Sequence, residues 1–401
     1  MQTKFCQLKI YRNLVEGVAG ALQKIFEEGR YADKVIEYLF KEQRKWGARD
    51  RRFVAETIYD VVRNYRLLET LGQSKDPYKL IGVYFILHDT DLPAWNEFAG
   101  LSKKEIQQRW QEARGKRAVF QSVPDWLDEL GQAELGSRWS KELGALNEQA
   151  PVVLRANTLK VSAASLQKKL HEEGTETVLL KEFGEALALK ERKNIFSSPL
   201  FKQGLFEIQD ASSQLVAQFL EPAPGMFVVD ACAGAGGKAL HMAALMQNKG
   251  KLIAMDVEER KLEELKRRAQ RAGATTIEAR VIASEKIIQA LENQADRLLL
   301  DVPCSGLGVL KRNPDAKWKL SLQSIGEVKE KQKNILQNYS RLLKPGGLMV
   351  YATCSILPSE NQKQTEAFLA QNKNFTYIKD RTVYPSEGFD GFYMCLMRRE
   401  N

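Results

Sequence analysis

The chain has 401 residues, 44% hydrophobic and 28% charged, a globular composition with length enough for two or three domains. Lys and Arg number 60 against 51 Asp and Glu, a net charge of +9. That excess suits a polyanionic partner, because neutralising phosphates releases their counterions. Five scattered cysteines without a CxxC pair, and only three histidines, argue against a zinc site and a disulfide framework and favour a reducing compartment.

Up to about residue 130, apolar residues recur at helical spacing, as in Leu14, Val18, Leu22 and again in Val54, Ile58, Val61. The most apolar run, 79–87, stops at His88 and Asp89, far short of the ~20 residues that span a bilayer. The first residues lack the apolar core of a signal peptide, so a cytoplasmic protein with no membrane segment is expected. From Pro151 the texture changes to a strand (152–160), an amphipathic helix (162–173) and short strands at 178–180 and 186–190. Beyond Asp210, strands and helices alternate. The strands are 226–231, 251–256, 277–282, 297–302 and 348–353, and the helices include 258–271, 286–291 and 322–343. A last helix is expected to open at Ser359, where S-E-N-Q has the form of a capping box. The alternation predicts an α/β, Rossmann-like sheet of parallel strands with helices on both faces. Ligands of such sheets bind beyond the carboxyl ends of the strands.

The first of these strands ends in D-A-C-A-G-A-G-G-K (230–238). Its glycines allow close backbone approach to a ligand, and the following helix offers free N–H groups. The second strand ends in Asp256, about 20 residues on, where a carboxylate can hold ribose hydroxyls. Together they indicate a nucleotide or nucleoside site, without separating a dinucleotide from S-adenosylmethionine. A P-loop would need Ser or Thr where Ala239 stands. The fourth strand ends in D-V-P-C-S-G (301–306) and the fifth in T-C-S (353–355). Adjacent strand ends would bring Cys304 and Cys354 over one cleft, an arrangement for covalent catalysis by a thiolate. Cys6 and Cys395 read as inert small hydrophobes. Lys311, Arg312, Lys317 and Lys319 crowd the loop after Cys304, where Lys317 is expected on RNA and Trp318 can stack or pack. Lys266, Arg267, Arg268 and Arg271 read as the solvated face of a helix.

With these motifs, N-P-D-x-K-W (313–318) and A-T-C-S (352–355), the chain resembles the Sun (Fmu) and Nop family of RNA cytosine-5 methyltransferases. The resemblance covers most of the chain and is densest over 209–398. It implies S-adenosylmethionine as cofactor, bound by Cys232, Ala233, Gly234, Ala235, Gly236, Gly237, Lys238, Asp256, Ser284 and Asp301. It implies catalysis by Cys354 as nucleophile and Cys304 in product release, with Asp301 on the pyrimidine edge. Arg155 and Asn157, in R-A-N-T-L-K (155–160), carry over as RNA-binding residues. Residues 1–130 resemble a shortened NusB-like helical region, 131–206 a small α/β RNA-binding segment, and 207–401 the methyltransferase domain. Ribosomal RNA is the expected partner of a monomeric enzyme, with transfer RNA second. Two departures stand out: Ala235 replaces the family's usual proline, and Ser284 follows the third strand where members often carry an aspartate. The rival readings are a non-catalytic RNA-binding assembly factor and a nicotinamide-dependent oxidoreductase.

Overall fold

The computed structural model describes residues 10–400, so Cys6 lies outside the described residues. The chain divides into two compact units, one of residues up to Glu148 together with Leu310–Ser321, the other of Gln149–Val309 together with residues from Leu322 on.

The first unit is helical. Its helices include Arg12–Phe26, Ala32–Glu42, Ala48–Arg63, Tyr65–Gly72, Pro77–Leu87 and Lys103–Ala113. Val15, Val18, Leu22, Val54, Ile58 and Val61 are fully buried in one core, as the helical spacing predicts. Helix Pro77–Leu87 starts at a proline, and Asp76 caps it by accepting from the Tyr78 and Lys79 backbone N–H groups. Seven of its eleven residues are buried. A helix apolar on all sides belongs at the centre of a core, which explains the run read above. Among the described residues no helix is long and apolar enough to cross a membrane.

The second unit holds two sheets. The smaller is antiparallel, in the order β2-β3-β1-β4, from β1 (Val153–Ala156), β2 (Thr177–Leu179), β3 (Ala186–Leu189) and β4 (Phe206–Ile208). Helix Ala163–Glu172 buries Leu166 and Leu170 in the core that includes Leu154, Leu187 and Phe206. The sequence reading contains no β4, and its boundary at 206/207 falls inside that strand.

The larger sheet comprises β5 (Phe227–Asp230), β6 (Lys251–Asp256), β7 (Ile277–Val281), β8 (Ala295–Asp301), β9 (Leu343–Thr353), β10 (Phe375–Val383) and β11 (Phe392–Arg399), in the order β10-β11-β9-β8-β5-β6-β7. Strands β5 to β9 are parallel. Alternate residues serve opposite faces, as the pleat requires. Val228, Leu252, Leu299 and Val350 join one core, and Val229, Ile253, Leu298 and Met349 the other. The chain winds one way from β5 to β7, then returns to β8 on the other side of β5. The ends of β5 and β8 therefore flank the switch point where ligands of such sheets bind.

Two expectations need correction. β10 and β11 pair antiparallel with each other, and β11 with β9, so the sheet is not wholly parallel. β10 is a polar edge carrying Lys379, Asp380 and Arg381, which resists pairing with other chains and hides its strand pattern. The last helix is Gln362–Gln371 with Asn361 at its N-cap, so Ser359 does not open it.

Candidate active site

Past Asp230 the chain turns sharply into helix Gly237–Leu245. Gly234 and Gly236 take φ of 52° and 84°, and a Cβ on Gly236 would lie 2.5 Å from Leu265 Cγ. Only glycine meets both demands at Gly236. The turn is held from several directions. Ala233 N donates to Met255 O at 2.8 Å, keeping Cys232 and Ala233 beside β6. Gly234 N donates to Asp256 Oδ2 at 2.8 Å, and the other Asp256 oxygen accepts from Glu258 N at 2.9 Å. Ala235 O accepts from Arg268 Nη1 at 2.8 Å, and Gly237 O from Arg155 Nη1 at 2.6 Å.

Asp230 is 1% exposed, and neither carboxylate oxygen has a hydrogen-bond partner. Burial first, and the charge of Asp301 second, push its carboxyl up to about 8. Native cores satisfy their buried polar atoms, so this orphan fits a ligand group with N–H donors. Cys232 is pushed well up by burial and by Asp230. At the end of β8, Asp301 Oδ2 lies 2.6 Å from Lys238 Nζ in a partly buried ion pair. Ser284 is exposed at the N-cap of helix Glu285–Gln289, two residues past Ile282, whose N–H donates to Asp256 O at 2.9 Å.

The register pairs Asp301 with Ala352, so the loops after β8 and β9 leave the sheet side by side. Cys304 Sγ and Cys354 Sγ are 3.2 Å apart, and both residues are partly exposed. Gly308 N donates to Cys354 O at 2.9 Å, and Gly391 N to Gly308 O at 2.8 Å. A Cβ on Gly308 would come within 2.3 Å of Gly391 O, so this glycine permits the close approach. The nearby sulfur of Cys354, and then burial, push the Cys304 thiol well up. Cys395 is buried within β11, its thiol pushed up to about 12 by burial.

The three side chains expected on RNA are all buried. Lys317 is 1% exposed, and its ammonium donates to Arg63 O at 2.7 Å and Asn147 Oδ1 at 3.1 Å. Residues Leu310–Ser321 belong to the helical unit, where Trp318 Nε1 also donates to Val62 O. Arg155 braces the glycine turn. Asn157 Nδ2 donates to Gly204 O and Ala272 O, both at 2.8 Å. The basic helix is only half solvated: Lys266 and Arg267 are exposed, whereas Arg268 and Arg271 pair with the buried Glu207.

A family model described as 16S rRNA methyltransferase RsmB/F matches residues 217–397, and one described as the RsmF/B-like ferredoxin-like domain matches 123–196. A probable ribosomal RNA small subunit methyltransferase B of Synechocystis is 33% identical, over 88% of this chain and 88% of its own. The chain belongs to the RsmB/F methyltransferase family. Like that family, it is an S-adenosylmethionine-dependent methyltransferase. A methyltransferase homolog protein from Pyrococcus horikoshii is 28% identical, covers 71% of this chain and 97% of its own, and has a TM-score of 0.63. The crystal structure of PH0851 shares the fold at a TM-score of 0.81 and 24% identity, over 98% of this chain and 100% of its own.

Of two further residues in this region, Asp230 opens the 230–238 segment already read as part of the cofactor site, and Glu360 has no site role in the sequence reading. Asp230 is signalled by its position as an acid directly after the apolar pair Val228-Val229 at a strand end. Glu360, fully buried beside both cysteine loops, was hidden by the capping-box reading of 359–362.

Proposed function

We propose that this enzyme methylates carbon 5 of a cytosine in small-subunit ribosomal RNA through a covalent adduct on Cys354. The observation that carries this reading is the pair of thiols 3.2 Å apart, in the loops after two adjacent parallel strands. S-adenosylmethionine, when bound, supplies an electrophilic methyl group on its sulfonium. Asp230 would take its α-ammonium, the backbone of Gly234 to Gly237 would line its methionine end, and Asp256 would accept from the ribose hydroxyls. Each Asp256 oxygen holds one backbone N–H and keeps a lone pair for this purpose.

Cytosine carbon 5 is a poor nucleophile. Addition of Cys354 Sγ to carbon 6 makes it enamine-like and able to accept the methyl group. The hydrogen on carbon 5 then leaves as a proton, its electron pair restores the 5,6 double bond, and the carbon–sulfur bond breaks to return the Cys354 thiolate. Cys304, 3.2 Å from the Cys354 sulfur, is the base that takes this proton as its thiolate, its own proton having left to solvent beforehand. Asp301, paired with Lys238, hydrogen-bonds the pyrimidine edge and stabilises its protonated form. Ribosomal RNA is supported by the name of the Synechocystis relative, and a polyanionic partner by the net charge of +9.

The test is a denaturing gel of substrate RNA incubated with the cofactor and each cysteine variant. Cys354→Ala should give no turnover and no covalent RNA. Cys304→Ala should attack and methylate, then stall as a slow-migrating adduct. A band only with Cys354→Ala would exchange the two roles. Full activity in both variants would remove covalent thiol chemistry from the enzyme.

A further inference from the structure

Glu360 is fully buried, and a carboxylate is costly to keep in a core unless its partners repay the lost hydration. Its partners come from both cysteine loops. Ser305, which follows Cys304, donates its N–H to Oε2 at 2.8 Å and its hydroxyl to Oε1. Ser355, which follows Cys354, donates its hydroxyl to Oε1 at 2.5 Å. Gln332 Nε2 donates to Oε2 at 2.9 Å and to Pro303 O at 3.0 Å. These four donors fill the acceptor positions of the carboxylate. The serine hydroxyls also accept from Leu307 N and Leu357 N, and Ser305 Oγ lies 3.2 Å from Ser355 Oγ, so the two serines and Glu360 form one cluster. Asn361 adds a clasp, donating to Ser355 O at 3.0 Å and accepting from Thr353 Oγ1.

We propose that Glu360 is a positioning residue for the two-thiol chemistry: it ties the residue after each cysteine to one anchor and fixes a negative charge beside Cys304. The proposal rests on the cysteine mechanism given above. A same-sized apolar side chain would fill the space without the cost of burying a charge, but it could not hold two loops at once. Facing Cys304 are Cys354, the Glu360 carboxylate and the Tyr351 phenol, and the Glu360 charge adds to the upward push on the Cys304 thiol. Ordering the sulfurs and strengthening Cys304 as a base are thus functions of one carboxylate.

Glu360→Gln keeps the shape but removes the charge and turns one acceptor into a donor facing other donors. Glu360→Asp keeps the charge but shortens the reach. Both should lower kcat by about tenfold or more with KM for RNA and cofactor nearly unchanged, as for a small misplacement of reacting groups. The second readout is the pH dependence of Cys304 alkylation by iodoacetamide, followed by peptide mass spectrometry. Its midpoint should fall by about one unit in Glu360→Gln, the size of a nearby-charge effect, and stay in place in Glu360→Asp. Wild-type kcat in Glu360→Gln, or an unmoved midpoint, would overturn the proposal. If Glu360→Gln does not fold, Ser305→Ala removes one tie and leaves the charge. It should lower kcat without moving the midpoint, and wild-type kcat there would equally refute the idea. The alkylation readout needs no methyl transfer, so failure of the cysteine mechanism and failure of this proposal are told apart.

Discussion

Asp230→Asn isolates the unpaired carboxyl at the end of β5. The substitution keeps the shape and mimics the protonated acid, but it cannot ionise against the cofactor's ammonium. A charged hydrogen bond contributes about 1.5–3 kcal/mol, so affinity should fall roughly 10–150-fold. The wild-type carboxyl sits at about 8 and must lose its proton to receive the ammonium. Affinity should therefore rise with pH between 6 and 7.5, approaching tenfold per unit, with about one proton released per cofactor bound. The variant should show neither the slope nor that proton release. Without cofactor the linkage runs the other way. Between the ordinary carboxylate range and about 8, the folded state holds a proton that the unfolded chain has lost. Stability conferred by Asp230 is then present at low pH and declines as pH rises through that window, by up to about 1.4 kcal/mol per unit. The asparagine variant should be the more pH-tolerant protein, gaining on wild type from about pH 5 to 7. Calorimetry in buffers of different ionisation enthalpy measures the first effect, and thermal melting across pH the second. Equal affinity of the two proteins, with parallel pH profiles, would remove Asp230 from the cofactor site and refute its raised carboxyl.

Lys317→Ala should act on stability rather than on RNA. It strips the partner from Arg63 O and Asn147 Oδ1 at about 1–3 kcal/mol, read by denaturant unfolding, while the salt dependence of RNA binding stays unchanged. Loss of RNA affinity with unaltered stability would reverse that assignment. Gly236→Ala combines a left-handed φ with a clash against Leu265, and such strain costs about 1–3 kcal/mol. It should lower the melting temperature and weaken cofactor binding together, and a variant with wild-type values of both would contradict the tight-turn argument.

Local chemistry made much of this protein legible in its sequence. Apolar alternation marked the five parallel strands, because buried strands must be apolar and must be separated by helices. The glycines of 234–237, Asp256, Cys304 and Cys354 stand at strand ends, where the general rule for open α/β sheets directs attention. Sequence also carried the family, since its motifs are chemical requirements at fixed spacing. What it could not decide was which polar side chains point inward. Lys317, Arg155 and Asn157 are charged or polar residues in basic or motif-rich stretches, which read as surface. Each is buried because distant backbone carbonyls, at Arg63, Gly237 and Ala272, accept its protons. Glu360 reads as a helix cap from its neighbours alone, and becomes an anchor only when Ser305, 55 residues away, meets it. The direction of β10 and β11 was likewise settled by pairing with β9 rather than by local pattern. Periodicity and strand-end motifs are short-range and survive in one dimension; satisfying a buried donor or acceptor depends on partners that only the fold brings near.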